Sequence, residues 1–202
     1  MGDTPLAWAA LGGHEAVVEL LLGQADIDPD MPGANGQTPL MLAALGGHEG
    51  VVKMLLGRDD VNPNKSNDDG ETPLMWAAYT GHEGVVKVLL DQPDVDPDCI
   101  SAVGDTALML AACEGHEEVV KMLLGRDDIN PDISDDQDQT PLSYAAANGH
   151  AGVVEMLLGR NDVNPHRLDY YGQTPLSYAV RGGHAQAIAL LQPPTVADYS
   201  TV

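Results

Sequence analysis

Phenylalanine is absent from the 202-residue chain, aromatic residues make up only 4%, and 9 basic side chains stand against 31 acidic ones. A core without large aromatic hubs has to be assembled from many small contacts among Leu, Val, Ala and Met. The formal net charge of −22 repels phosphate backbones and anionic headgroups, so neither nucleic acid nor membrane is expected as a partner. No apolar run approaches the about 20 residues of a membrane-spanning helix. Met1-Gly2-Asp3 leads straight into patterned sequence without a signal-peptide pattern. The two cysteines, Cys99 and Cys113, form no Cys-x-x-Cys pair and are too few for a disulfide framework. An intracellular protein, cytoplasmic or nuclear, is the expectation. With 44% apolar residues the chain can still bury a core.

What the sequence does have is periodicity. Thr4, Thr38, Thr72, Thr106, Thr140 and Thr174 recur at a spacing of 34 without a slip, and His14, His48, His82, His116, His150 and His184 keep the same register. Within one unit, Thr72-Pro73 supplies an N-cap and a first helical residue, and Gly81 suits a left-handed stop. His82-Glu83 opens a second helix with the apolar stripe Val85, Val86, Leu89 and Leu90. Each unit is therefore predicted to be two short antiparallel helices, too short to stand alone and stabilised by stacking on neighbours. A polar link rich in Asp, Asn, Pro and Gly follows. It reads as a hairpin-like loop with a positive φ at the Gly two places before each Thr, a place that Asp138 takes in the fifth unit.

The pattern Thr-Pro-Leu-x-x-Ala-Ala-x-x-Gly-His-Glu-x-Val-Val-x-x-Leu-Leu resembles the ankyrin repeat. The resemblance covers nearly the whole chain and implies an all-α solenoid of six helix-turn-helix units joined by hairpin-like loops, with a concave face made of hairpins and first helices. Three features depart from the family. Ala7, Met41, Met75, Met109, Ser143 and Ser177 replace the His of its Thr-Pro-Leu-His motif, Ala107 replaces one Pro, and the period is 34 in place of 33. This variety resembles the arrays of fungal multidomain proteins. The expected division is a repeat domain over 1–192, its first unit without a hairpin and its last truncated, followed by a flexible tail over 193–202. Neither end reads as a dedicated polar cap, which suggests a segment of a longer array. Ser200-Thr201-Val202 has only a weak similarity to a PDZ ligand.

Chemistry is a poor fit. Ligands of one zinc lie about 2 Å from it, whereas the His residues of stacked units are expected about 8–10 Å apart, so a structural role at the helix turn is the better reading. Asp26-Ile27-Asp28-Pro29-Asp30 and Asp94-Val95-Asp96-Pro97-Asp98 open like calcium loops. Met31 and Cys99, however, occupy the place that needs Gly, and turn capping accounts for the acids. No nucleophile elbow or phosphate loop is present. Neither an enzyme nor a cofactor is expected. The stripe Trp8, Leu42, Trp76, Leu110, Tyr144 and Tyr178 reads as core. The ladder Asp26, Asp60, Asp94, Asp128 and Asp162 sets like charges about 10 Å apart, each pair repelling by about 0.4 kcal/mol in water, with partial relief from Arg58, Arg126 and Arg160.

The function expected from the resemblance is non-catalytic binding of a basic protein partner by a monomeric scaffold. The candidate site combines Asp68, Asp69, Glu71, Ala102, Val103, Asp105, Asp136 and Gln139 of the hairpins with Leu45, Tyr79, Cys113 and Glu114 of the first helices. Leu45, Tyr79 and Cys113 share one repeat position and would form a contiguous apolar patch. The competing readings are a spacer whose charge serves solubility and a regulatory part of a larger protein.

Overall fold

The computed structural model describes residues 4–192, and the predicted tail with its Ser200-Thr201-Val202 end lies outside them. Among the described residues the regular elements are twelve α-helices and one short 3-10 turn, Ala34–Gly36. They form six pairs: α1 Pro5–Leu11 with α2 Glu15–Leu22, α3 Pro39–Leu45 with α4 Glu49–Leu56, α5 Pro73–Thr80 with α6 Glu83–Leu90, α7 Ala107–Glu114 with α8 Glu117–Leu124, α9 Pro141–Asn148 with α10 Ala151–Leu158, and α11 Pro175–Gly182 with α12 Ala185–Leu191. First helices pack on first helices and second on second, so the pairs stack into an all-α solenoid. No helix among the described residues is long and apolar enough to cross a membrane.

Helix starts follow the expected chemistry. The Thr72 hydroxyl oxygen accepts a hydrogen bond from the Met75 amide, with Pro73 next to it, and the same cap recurs at Thr4, Thr38, Thr106, Thr140 and Thr174. Ala107 starts α7 without the proline, since the cap alone satisfies the first turn. At the position of the family's His, Met41, Met75 and Met109 are each 1% exposed and fill space in the core. Ser143 and Ser177 instead hydrogen-bond the capping Thr hydroxyl. The core repeats in register: Leu40, Leu74, Leu108 and Leu142 and Ala44, Ala78, Ala112 and Ala146 of the first helices are buried in one cluster with Val52, Val86, Val120 and Val154 of the second.

Three hydrogen-bonded ladders run along the stack. In the first, the His ring donates from Nε2 to a carbonyl of the preceding unit: His48 to Leu11 at 2.9 Å, His82 to Leu45 at 3.1 Å, His116 to Tyr79 at 3.0 Å, His150 to Cys113 at 2.9 Å and His184 to Ala147 at 2.9 Å. A carbonyl can only accept, so Nε2 carries the proton. Gly81 makes this approach possible: its φ of 74° ends α5, and a Cβ there would lie 2.6 Å from the His116 ring. In the second ladder, side chains of one link cap amides of the next, Asp30 to Asn62, Asn64 to Asp96 and Asp98 to Asn130. Four of the six calcium-like acids thus serve as backbone caps, since Asp28 and Asp96 likewise close their own turns onto the Asp30 and Asp98 amides.

The third ladder joins the hairpin tips through backbone alone. Asp68 donates to Asn35, Ala102 to Asp69, Asp136 to Val103 and Tyr170 to Gln137. Each link closes as a hairpin without extended strands. Asn67 and Glu71 pair across the loop, Gly70 donates back to Asn67, and Gly70 takes a φ of 76°, a type I turn with a Gly bulge. The Asn67 Oδ1 accepts from the Asp69 and Glu71 amides, a role that Asp135 and Asp169 repeat in their own units. Gly33 has no side chain to supply such an acceptor, and the second unit bends differently, with Asn35 itself at φ 56°.

The ladder of like charges is compensated at three of its five rungs. Arg58, Arg126 and Arg160 fork onto Asp60, Asp128 and Asp162 through Nε and Nη2, while Nη1 reaches the Leu22, Leu90 or Leu124 carbonyl of the preceding unit. At Asp26 and Asp94 the matching residues are Gln24 and Gln92, whose amides turn back to their own helices.

Asp138 takes a φ of 58° where other units carry Gly, and it is exposed. Relief of its left-handed strain outweighs the extra freedom that Gly gives the unfolded chain. Asp138→Gly is therefore expected to leave stability unchanged or raise it by up to about 1 kcal/mol. Urea unfolding midpoints check this, and a clearly lower midpoint for the variant contradicts it.

Candidate functional site

The hairpin tips and first helices of the middle units form one continuous face. Tyr79 sits on it 46% exposed and Val103 58% exposed. Asp68, Asp69, Ala102, Glu114 and Asp136 are exposed as well, whereas Leu45, Glu71, Asp105, Cys113 and Gln139 are half-buried. The backbone amides of Asp68, Ala102 and Asp136 and the carbonyls of Asp69 and Val103 are consumed by the tip ladder. Their side chains are thereby presented from a fixed backbone.

Glu71 and Tyr79 come together. They line a pocket of about 240 Å³ between α5 and α7, with Met75, Trp76 and Leu110 as the other walls. The Trp76 and Tyr79 rings meet edge to face, centroids 6.5 Å apart at 87°, a favourable aromatic geometry. This overturns part of the core stripe. Only Leu42 of that stripe is buried, at 5%, while Trp8 is 60% exposed and Trp76, Leu110, Tyr144 and Tyr178 are half-buried. The position lies in the angle between a first helix and its hairpin, so a large side chain is covered from one side only. Tyr79, three residues after Trp76, falls on the same helix face, and that spacing was the available sign that the two aromatics cooperate.

Farther along, the same angle is closed from within. The Tyr144 hydroxyl donates to Asp135 Oδ2 at 2.7 Å, Tyr178 donates to Asp169, and Gln139 Nε2 donates to the Tyr178 hydroxyl at 2.6 Å. Gln139 therefore belongs to a different pocket, lined also by Gln137, Tyr171, Gln173 and Arg181, with the Arg181 guanidinium 5.1 Å from the Tyr178 ring centre. Cys113 accepts the His150 ring at its carbonyl and faces the Asn148 amide, and burial pushes its thiol up from the ordinary value. It lies half-buried at the edge of the face.

Charge is segregated. Of the nine basic residues, Lys53, Lys87 and Lys121 lie on second helices and Arg58, Arg126 and Arg160 just after them. Lys65 reaches the Asp30 carbonyl, Arg167 reaches Asp132, and Arg181 lies on α11. None lies on α3, α5, α7 or α9 or on hairpin tips 67–71, 101–105 and 135–139. The tips carry Asp68, Asp69, Glu71, Asp105, Asp135, Asp136 and Asp138, and α7 carries Glu114. Burial, and then the charges of Asp135, Glu71 and Asp136, raise Asp105 above its ordinary value.

The family model described as ankyrin repeats (3 copies) matches residues 1–67, 59–135 and 128–200. No curated protein matches the chain.

The carboxylates divide into two groups with opposite effects on stability. Burial raises Asp30, Asp98 and Asp105, which therefore hold a proton more tightly folded than unfolded. Their contribution grows as pH falls from neutrality through those raised values. Hydrogen bonds from Arg58, Arg126 and Arg160 lower Asp60, Asp128 and Asp162, whose contribution is present above the ordinary carboxylate value of 3.8 and is lost as pH falls through their lowered ones. Thermal melting is expected to reach its maximum on the acid side of neutrality, and Asp105→Asn is expected to raise the neutral-pH midpoint and flatten the acid-side rise. A midpoint that falls steadily on acidification from neutrality contradicts this account.

Proposed function

That this chain belongs to the ankyrin-repeat family, whose repeats generally serve as protein–protein interaction modules and are generally non-catalytic, is the premise from which we propose a scaffold that binds a basic protein partner with the face of its hairpins and first helices, the concave side in the family. The observation that carries this reading is the segregation of charge: a face with exposed Tyr79 and Val103 is ringed by Asp68, Asp69, Glu71, Asp105, Glu114 and Asp136 and holds no cation over α3, α5, α7 and α9. Such charge speeds encounter, and an aromatic anchor supplies the short-range affinity. The proposed contact set is Leu45, Asp68, Asp69, Glu71, Tyr79, Ala102, Val103, Asp105, Cys113, Glu114 and Asp136, with Gln139 at its margin. The scaffold acts as a monomer in the cytoplasm or nucleus, without cofactor or chemistry, and 1–192 is its repeat domain.

Selection of random peptides on the immobilised chain is expected to enrich net-positive sequences. Tyr79→Ala should weaken the selected peptides by about 2 kcal/mol or more while the melting midpoint stays within a few degrees of the parent. Asp69→Lys combined with Glu71→Lys should slow association more than it hastens release. Peptides without a positive bias, or a Tyr79→Ala protein that melts lower yet binds unchanged, would overturn the reading.

A further inference from the structure

We propose that the pocket between α5 and α7 is an arginine-recognition subsite, which receives the side chain of one Arg of a protein partner between the Trp76 and Tyr79 rings and the Glu71 carboxylate. The inference rests on the proposed binding face and adds the identity of the residue that anchors there.

The comparison along the register carries it. Where a first helix meets its hairpin in the fifth and sixth units, the Tyr144 and Tyr178 hydroxyls fill the angle and hydrogen-bond Asp135 and Asp169. In the third unit Trp76 stands at that position and makes no hydrogen bond to its hairpin. In the fourth, Leu110 has no polar atom to offer. The protein's own contacts therefore leave this stretch open as a pocket, with apolar walls from Met75 and Leu110 and an aromatic wall from Trp76 and Tyr79. The polar edge of the pocket is acidic. Glu71 Oε2 accepts from Asn67 Nδ2 at 2.8 Å, and no side chain among the described residues donates to Oε1. One register step on, the Asp105 carboxylate makes no hydrogen bond among the described residues and lies within the repulsive field of Asp135, Glu71 and Asp136.

A ligand for these walls needs a flat, weakly hydrated cation on an aliphatic stem. Guanidinium fits because it stacks on aromatic faces, presents a planar fork of donors to carboxylates, and sheds water more readily than an ammonium group. The three methylenes of Arg lie along apolar surface at little cost. A Lys head brings a compact, strongly hydrated charge that neither stacks nor forks, and a neutral residue leaves the carboxylates unpaired.

The test is a titration of the full chain followed by NMR. The Trp76 indole N–H is the reporter, and Trp8, in the first unit, is the internal control. The probes are N-acetyl-arginine amide, the lysine amide and the citrulline amide, the last being close to Arg in shape without its charge, all at ionic strength matched with sodium chloride. The arginine amide is expected to move the Trp76 resonance saturably, with a dissociation constant of about 1 mM for a ligand of this size, and to leave Trp8 in place. Lysine should bind several-fold more weakly and citrulline should cause no saturable movement. Glu71→Gln keeps an acceptor for Asn67 and should weaken the arginine amide by about tenfold, the usual scale for loss of one charge-assisted pair. A Trp76 resonance unmoved at tens of millimolar, equal responses to all three amides, or undiminished binding by Glu71→Gln would each overturn the subsite. If that happens while selected basic peptides still bind and still lose affinity on Tyr79→Ala, the subsite falls and the binding face stands. If those peptides show no dependence on Tyr79, the face falls with it.

Discussion

A helix of seven or eight residues does not persist alone in water, and every α-helix among the described residues is of that length. The whole structure therefore depends on how one unit grips the next. The grip is the His ring reaching back to the carbonyl at the end of the preceding first helix, over a Gly that leaves room for it. It joins residues 37 positions apart, so it is repaid only when the neighbouring unit is folded. Burial of Leu, Val and Ala between units supplies most of the stabilisation, and the His bond fixes the register in which that burial occurs.

The same grip determines what can vary. The carbonyls of Leu45, Tyr79 and Cys113 are the acceptors for His82, His116 and His150, so the backbone beneath the candidate face is pinned while its side chains stay free. The tip ladder does likewise for Asp69 and Val103. Binding groups on a rigid backbone lose less entropy when a partner arrives. This is a physical reason for the sequence to be constant at Thr, Gly and His and irregular at 45, 79, 113 and at the hairpin tips.

Much of the fold was legible in the sequence because its determinants are local. The Thr caps, the left-handed Gly81 and Gly70 and the anomalous Asp138 all follow from residue types within one turn. The inter-unit hydrogen bonds were not legible. Periodicity identifies His as structural but cannot say which carbonyl, a unit away, receives it. The stripe through Trp8 and Trp76 was misplaced for a related reason. A shared register shows that residues face the same way but not how deeply that face is covered, and the covering comes from the neighbouring units and the hairpin, which the pattern within one unit does not reveal. The relief of the Asp ladder by Arg58, Arg126 and Arg160 was foreseeable as a contact two residues away. Their third hydrogen bond, to the preceding unit, was not.

The distribution of charge sets the last constraint. On the second-helix side some acids pair with bases, as Glu49 with Lys53, Glu118 with Lys121 and Asp128 with Arg126 do. The hairpin side collects carboxylates that repel one another, and some, such as Asp105, are half-buried with no cation near. Nothing in the stacking requires this arrangement. The fifth and sixth units show that the same scaffold can neutralise the angle with a tyrosine hydroxyl or a glutamine. A fold that leaves an unfavourable charge uncompensated where compensation is structurally available holds free energy that a cation can recover on binding. On that ground the hairpin face fits the proposed recognition surface: a coat of charge serving only solubility has no reason to leave α3, α5, α7 and α9 without a cation or to line a pocket with Glu71.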